Sequence, residues 1–288
     1  MSDNESKKAR RNAARERAAA QRAKDKARKR RNRTLTISGI IVGGLAVIAV
    51  VVLVIANSVQ PAGPGPKNMA SDGIVLQGQN GKIVPVTTKA IPESGKPTAT
   101  KQDDSVANIT VYEDYLCPIC NQFETGNMTQ IKKWVADGSA TLEVHPFNLL
   151  DSRSLGSKYS TRAAAAAACV ANYDPDAFLD VNSAFYANQP SESTRGLTNE
   201  KLADIAKSAG ATNKNVGPCI TDQRFAGWVA DATDRVLTEP LANSSLDKLT
   251  GTPTVIVNGK QYNAQGTNAW ADADAFAAFV EQNGGSQK

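Results

Sequence analysis

The chain reads as an α/β domain carried behind a single N-terminal membrane helix. Three observations predict this. Near the N-terminus a run from Leu35 to Ala56 contains no charged residue. From Val106 onward, β-like and helix-like segments alternate. At one strand-to-helix junction stands Cys117-Pro118-Ile119-Cys120, a pair of thiols two residues apart.

Residues 1–33 hold fourteen Lys or Arg against four Asp or Glu, which leaves nineteen basic and twenty-four acidic residues in the remainder. The high pI of about 9.0 therefore belongs to the tail, and a basic surface for nucleic acid is not predicted for the globular part. Residues 34–58 are predicted as a transmembrane helix, since the uncharged 35–56 core at about 1.5 Å per residue spans a hydrocarbon layer of roughly 30 Å. The basic flank keeps the N-terminus in the cytoplasm and places everything after Asn57 outside. A cleaved leader is the competing reading, with Ala56-Asn57-Ser58 as its cleavage site. The long basic region and long apolar run favour an anchor instead.

Gln60 to Pro66 is rich in proline and glycine and reads as a tether. Within a 59–105 linker, the pieces flanking Gln79-Asn80-Gly81 suggest a short hairpin, and 91–104 is turn-rich. The domain proper is placed from Val106. A strand is expected over 107–113, a helix over 118–136 stopped at Asp137-Gly138, and a strand over 141–148. Helices follow over 162–170, over 175–188 behind Asp174 as cap, over 199–209 behind Thr198, and over 218–237. A strand at 254–257 leads through Asn258-Gly259, a type I′ turn signal, to a short partner near Tyr262. A last helix spans 269–281, with Phe276, Phe279 and Val280 on one face.

The Cys-Pro-Ile-Cys motif carries the chemistry. At a helix start, unpaired N–H groups and the helix dipole stabilise the thiolate of Cys117, the candidate nucleophile. Pro118 suits the first helical position, where its missing N–H has no role. Cys120, one turn in, is the more shielded resolving thiol. A permanent disulfide or half of a zinc site are the bland alternatives. A structural zinc site wants four Cys or His ligands, and here Cys169 and Cys219 stand alone and His145 is the single histidine. His145 precedes Pro146 in an apolar run and reads as a strand residue, which removes most Ser-His-Asp and Cys-His devices. No Walker loop, dinucleotide fingerprint or His-Glu-x-x-His occurs, and no cofactor site is visible. Outside the cell membrane, disulfides persist. Cys169 is paired with Cys219 as a structural bond, although the sequence leaves all three connectivities open.

The order strand, helix, strand, four helices, hairpin, helix, taken with Tyr115 to Cys120 and with Gly251-Thr252-Pro253-Thr254-Val255-Ile256-Val257-Asn258-Gly259, resembles the DsbA-like thiol-disulfide oxidoreductases. The resemblance runs from about Met69 to the C-terminus. It implies a thioredoxin fold whose halves, 106–151 and 249–288, flank an inserted helical domain over 152–248. It gives Pro253 the role of a cis-proline facing the disulfide and Thr252 that of the residue before it, with Pro118 and Ile119 as support. The spacing of Cys169 and Cys219 looks like the second, structural disulfide of actinobacterial and other Gram-positive members, which are often membrane-anchored. One departure stands out: many members carry a buried acid six positions before the first cysteine, and that position here is Val111. Glu113 and Asp114 are the nearer substitutes, with solvated strand-end carboxylates as the alternative.

The function so implied is a dithiol oxidase that introduces disulfides into exported proteins through a mixed disulfide at Cys117. A DsbB-like or VKOR-like quinone reductase in the membrane is the implied redox partner. A reductase, an isomerase or an inert membrane-tethered binding module are the alternatives. No dimerisation module is visible between Met69 and Ser105, and the chain is read as a monomer.

Overall fold

A computed structural model describes residues 63–266 and 268–284. The basic tail and the transmembrane helix expected over 34–58 lie outside the described residues. Among those residues, no helix is long and apolar enough to cross a membrane.

Six strands form one mixed sheet in the order β2-β1-β4-β3-β5-β6. They are β1 (Ile74–Gln79), β2 (Lys82–Pro85), β3 (Ala107–Glu113), β4 (Ala140–Pro146), β5 (Thr254–Val257) and β6 (Lys260–Tyr262). β3 is buried at every position, as expected of a central strand covered on both faces. It runs parallel to β4, with Val111 opposite Val144, and antiparallel to β5, with Val111 opposite Val255. A parallel pair needs a crossover, and α1 (Pro118–Asp137) supplies it. Phe123, Met128, Ile131 and Val135 make the buried stripe of α1, and Gly138 ends it at φ 82°, a left-handed value that glycine adopts freely. Both β-turns sit where their dipeptides placed them, with φ positive at Asn80 and Gly81 and again at Asn258 and Gly259.

Five helices lie between β4 and β5: α2 (Tyr159–Tyr173), α3 (Phe178–Ala187), α4 (Asn199–Ser208), α5 (Val216–Thr221) and α6 (Ala226–Thr238). After β6, α7 (Ala273–Asn283) returns to the sheet and buries Phe276 against Phe123 and Tyr262. Cys169 of α2 and Cys219 of α5 form a disulfide, and both are fully buried. The alanine run of α2, Ala163 to Ala168, is buried throughout, so small side chains let the helix sit at the centre of the insertion.

Several boundaries differ from the expectation. The 59–105 linker is, from Gly63 on, part of the folded unit: β1 pairs with β4, Met69 and Ile74 are buried, and the Gly65 N–H bonds the Ile91 carbonyl at 2.8 Å. Residues 97–103 cross the back of the sheet, where the Thr100 hydroxyl donates to Glu143 at 2.7 Å. The domain therefore begins well before Val106.

α2 starts three residues earlier than expected because distant groups cap it. Tyr159 N–H donates to the Ser154 hydroxyl at 3.1 Å and Thr161 N–H to the Asp151 carboxylate at 2.9 Å. The expected 175–188 helix opens with a 3-10 turn at Pro175–Ala177, and Asp174 does not cap it. Its carboxylate accepts instead from Asn213 N–H at 2.9 Å. The expected 218–237 helix is two helices, separated at Gln223, whose φ is 52°. The last helix is shorter, with Ala269–Ala271 as a 3-10 turn and Asp272 as the true cap, accepting from Ala275 N–H at 3.0 Å. His145 is a β4 residue, stacked on Tyr112 with ring centroids 4.4 Å apart.

Candidate active site

The end of β3 leads straight into the thiol pair. Asp114, fully buried, organises the connection: one carboxylate oxygen accepts from Leu116 N–H and the other from Leu150 N–H, both at 2.8 Å. Its backbone carbonyl takes the Cys117 N–H at 2.9 Å. Cys117 is thereby held as the N-cap of α1, with Pro118 at the first helical position, and its sulfur accepts from Cys120 N–H at 3.4 Å. Pro118 and Ile119 are exposed while both cysteines are buried, at 4 % and 1 %, so the way to the sulfurs runs over the Pro-Ile turn.

The two thiols are electrostatically unlike. Cys117 is held below the usual thiol range, first by the hydrogen bond from the Cys120 thiol and then, against burial, by the N–H groups of Cys120 and Ile119. Cys120 is pushed well up, by burial first and then by Cys117, with the Thr252 hydroxyl opposing. Thr252 reaches the site from the loop before β5. Its hydroxyl lies 2.7 Å from Cys120 Sγ, its carbonyl 3.4 Å from Cys117 Sγ, and the Thr252–Pro253 peptide bond is cis. The structure thus brings Cys117, Cys120, Thr252 and Pro253 together, and it places Cys169 and Cys219 in a bond of their own within the insertion.

Glu113 and Asp114 are not solvated strand-end carboxylates: they are 2 % and 0 % exposed. Burial pushes Asp114 up to about 6, against its two backbone hydrogen bonds. Glu113 is pushed well above the carboxylate range, by burial and then by the neighbouring Glu124. Glu124 itself, on α1 four residues after Cys120, is raised to about 7 by burial, although the Ser183 hydroxyl donates to it at 2.8 Å. Asn182 of α3 lies against both glutamates, and its carbonyl oxygen accepts from Tyr115 OH at 2.6 Å. Tyr186 is fully buried beside them, and its hydroxyl is pushed well up, by burial first and then by Glu113. Burial and their mutual repulsion thus favour the protonated form of both carboxyls.

Glu124, Asn182 and Tyr186 were missed by the sequence reading. Glu124 carried a signal, a carboxylate inside the apolar stripe that runs from Phe123 to Val135. Asn182 and Tyr186 belong to the insertion and carried none.

The raised carboxyl has a measurable consequence. A folded-state value above the unfolded one means the native chain binds the extra proton between about pH 4.5 and 7, so stability is lost as pH rises through that window. Glu124→Gln keeps the Ser183 contact and abolishes the charge. It is expected to stabilise the chain by on the order of 3 kcal/mol at pH 8 and to change nothing at pH 4. Urea unfolding at both pH values checks this, and equal effects at the two would refute the assignment.

A family model described as Thioredoxin matches residues 96–276. Among solved structures, the chain is similar to reduced DsbA from Mycobacterium tuberculosis, with a TM-score of 0.54 and 26 % identity over 74 % of this chain and 92 % of that one. It is also similar to the reduced disulfide bond oxidoreductase DsbG from the same organism, with a TM-score of 0.51 and 28 % identity over 64 % and 85 %. Among curated proteins, serine/threonine-protein kinase PknE of Mycobacterium tuberculosis strain H37Rv is 35 % identical over 107 residues. That match spans 36 % of this chain and only 19 % of the kinase.

Proposed function

The chain belongs to the thioredoxin family, with the fold of the DsbA-like thiol-disulfide oxidoreductases, and from that premise we propose that it is a dithiol oxidase for exported proteins. The carrying observation is the asymmetry of the pair: Cys117 caps a helix start with its sulfur accepting from Cys120 N–H at 3.4 Å, while Cys120 lies buried one turn in with its sulfur 2.7 Å from the Thr252 hydroxyl.

That asymmetry gives the steps their direction. A client thiolate attacks Sγ of Cys117 in the Cys117–Cys120 disulfide, the S–S bond breaks, and Cys120 leaves as a thiolate that burial drives to take up a proton. The buried Glu113–Glu124 pair, which burial holds against ionisation, is the proposed source of that proton. A second client thiolate then attacks the client sulfur of the mixed disulfide, and Cys117 departs as a stabilised thiolate. The client leaves oxidised, and the two electrons remain on the enzyme as its dithiol. Thr252 and Pro253 flank the exchanging sulfurs, where an extended client segment would lie.

The electrons must then leave, and a DsbB-like or VKOR-like quinone reductase in the same membrane is the proposed acceptor. The basic 1–33 tail and the uncharged 35–56 run support a cytoplasmic N-terminus, a single crossing and an extracytoplasmic catalytic domain.

The test is the reduction potential of the full-length chain in glutathione buffers, with mass spectrometry identifying the cysteines that titrate. A Cys117–Cys120 couple at roughly −200 to −120 mV is expected of an oxidase or isomerase. A value at roughly −270 mV or below would make it a reductase or an inert bond and refute the reading.

A further inference from the structure

One side chain from the insertion grips the backbone of the nucleophile itself. Gln189 lies just beyond the end of α3. Its Nε2 donates twice, to the Tyr115 carbonyl at 3.1 Å and to the Cys117 carbonyl at 2.9 Å. Its Oε1 accepts from Asn121 Nδ2 at 3.1 Å, and that same Nδ2 donates to the Tyr186 carbonyl at 3.2 Å. The orientation of the amide is thereby determined. Flipped, its oxygen would face two carbonyl oxygens and its NH2 would face the Asn121 NH2.

We propose that Gln189 is a positioning residue for Cys117, holding it in the cap conformation in which the first N–H groups of α1 meet its sulfur. The argument is geometric. Cys117 sits at φ −77° and ψ 117°, outside the helix, and only in that extended state does its sulfur turn back to Cys120 N–H. The Asp114 carboxylate pins Leu116 from one side of the turn. Gln189 pins Tyr115 and Cys117 from the other. The bland role, gluing the insertion to α1, predicts lost stability with no change in the sulfur.

The inference rests on Cys117 being the reactive thiol, and the experiment separates the two. The pH dependence of iodoacetamide alkylation at Cys117, followed by mass spectrometry, is measured on the reduced full-length chain and on its Gln189→Ala and Gln189→Met variants, with melting temperatures alongside. Methionine fills the volume of glutamine but donates nothing.

In both variants the alkylation midpoint is expected to rise by about half to one pH unit, slowing the reaction at pH 6 by about three- to tenfold while leaving the plateau rate at high pH unchanged. A Gln189→Met chain that keeps the native profile refutes the inference and leaves the oxidoreductase reading standing. So does failure of both variants to fold, which assigns Gln189 to the fold alone. A native chain whose Cys117 titrates as an ordinary thiol overturns both.

Discussion

Replacing Cys117 with serine is expected to lower thiol-disulfide exchange by about a thousandfold or more while leaving the melting temperature nearly unchanged. A serine hydroxyl is neither ionised near neutral pH nor able to form a disulfide. Cys120 cannot take over, because it is 1 % exposed, sits a turn inside α1 and has its thiolate disfavoured by burial. Serine still accepts the Cys120 N–H, so the cap and the helix survive. Cys120→Ser has the complementary outcome. Its Cys117 stays exchangeable but has no intramolecular thiol to resolve it, so mixed disulfides accumulate and appear as adducts in non-reducing gels. Oxidation of a reduced, unfolded ribonuclease measures the first variant. Retention of even a tenth of the native rate would move the site elsewhere.

The second large effect is on stability. The Cys169–Cys219 bond joins residues 50 apart, and a loop of that length restricts the unfolded chain by about 4 kcal/mol in the loop-entropy model. The Cys169→Ala, Cys219→Ala double variant is therefore expected to lose about that much unfolding free energy while its Cys117–Cys120 couple keeps the native potential. Urea unfolding gives the first quantity and glutathione titration the second. Under mild reductant, the native chain should expose only Cys117 and Cys120 to alkylation. A double variant as stable as the native chain would show that the bond has no structural role.

The parts of this molecule that were legible in the sequence are those written in short-range chemistry. Asn80-Gly81 and Asn258-Gly259 mark their turns because left-handed backbone favours these residues. Gly138 stops α1 for the same reason, and Pro118 behind Cys117 marks its start. Where a boundary depends on a distant partner, nothing local announces it. Thr161 N–H is satisfied by Asp151, and Asp174 serves Asn213 rather than the helix beside it. Gln223 breaks the long amphipathic pattern with a positive φ that glutamine does not advertise.

The site divides in the same way. Cys117, Cys120, Thr252 and Pro253 belong to two contiguous motifs and were named from them. Glu113 and Asp114 were named, but as groups of uncertain exposure, since burial at a strand end is decided by what packs over it. Here the insertion covers Glu113, with Asn182 and Tyr186 against it, while Leu150, in the connection after β4, meets Asp114. Gln189 and Asn121, which bridge the insertion to the nucleophile, are ordinary polar residues until the two pieces of chain are in contact.

Cys117 and Thr252 touch although 135 residues separate them, because β5 pairs with β3 only after the whole insertion has been traversed. A ribosome delivers the chain from the N-terminus, so the thiol pair emerges long before the loop that closes over it. Until β5 docks, β3 is the open edge of an unfinished sheet and both thiols lack their threonine neighbour. Contacts of such sequence separation form slowly. The working centre is thus among the last things the nascent chain acquires, and a chain cut short after the helical insertion would carry the complete Cys-Pro-Ile-Cys motif without the centre it serves.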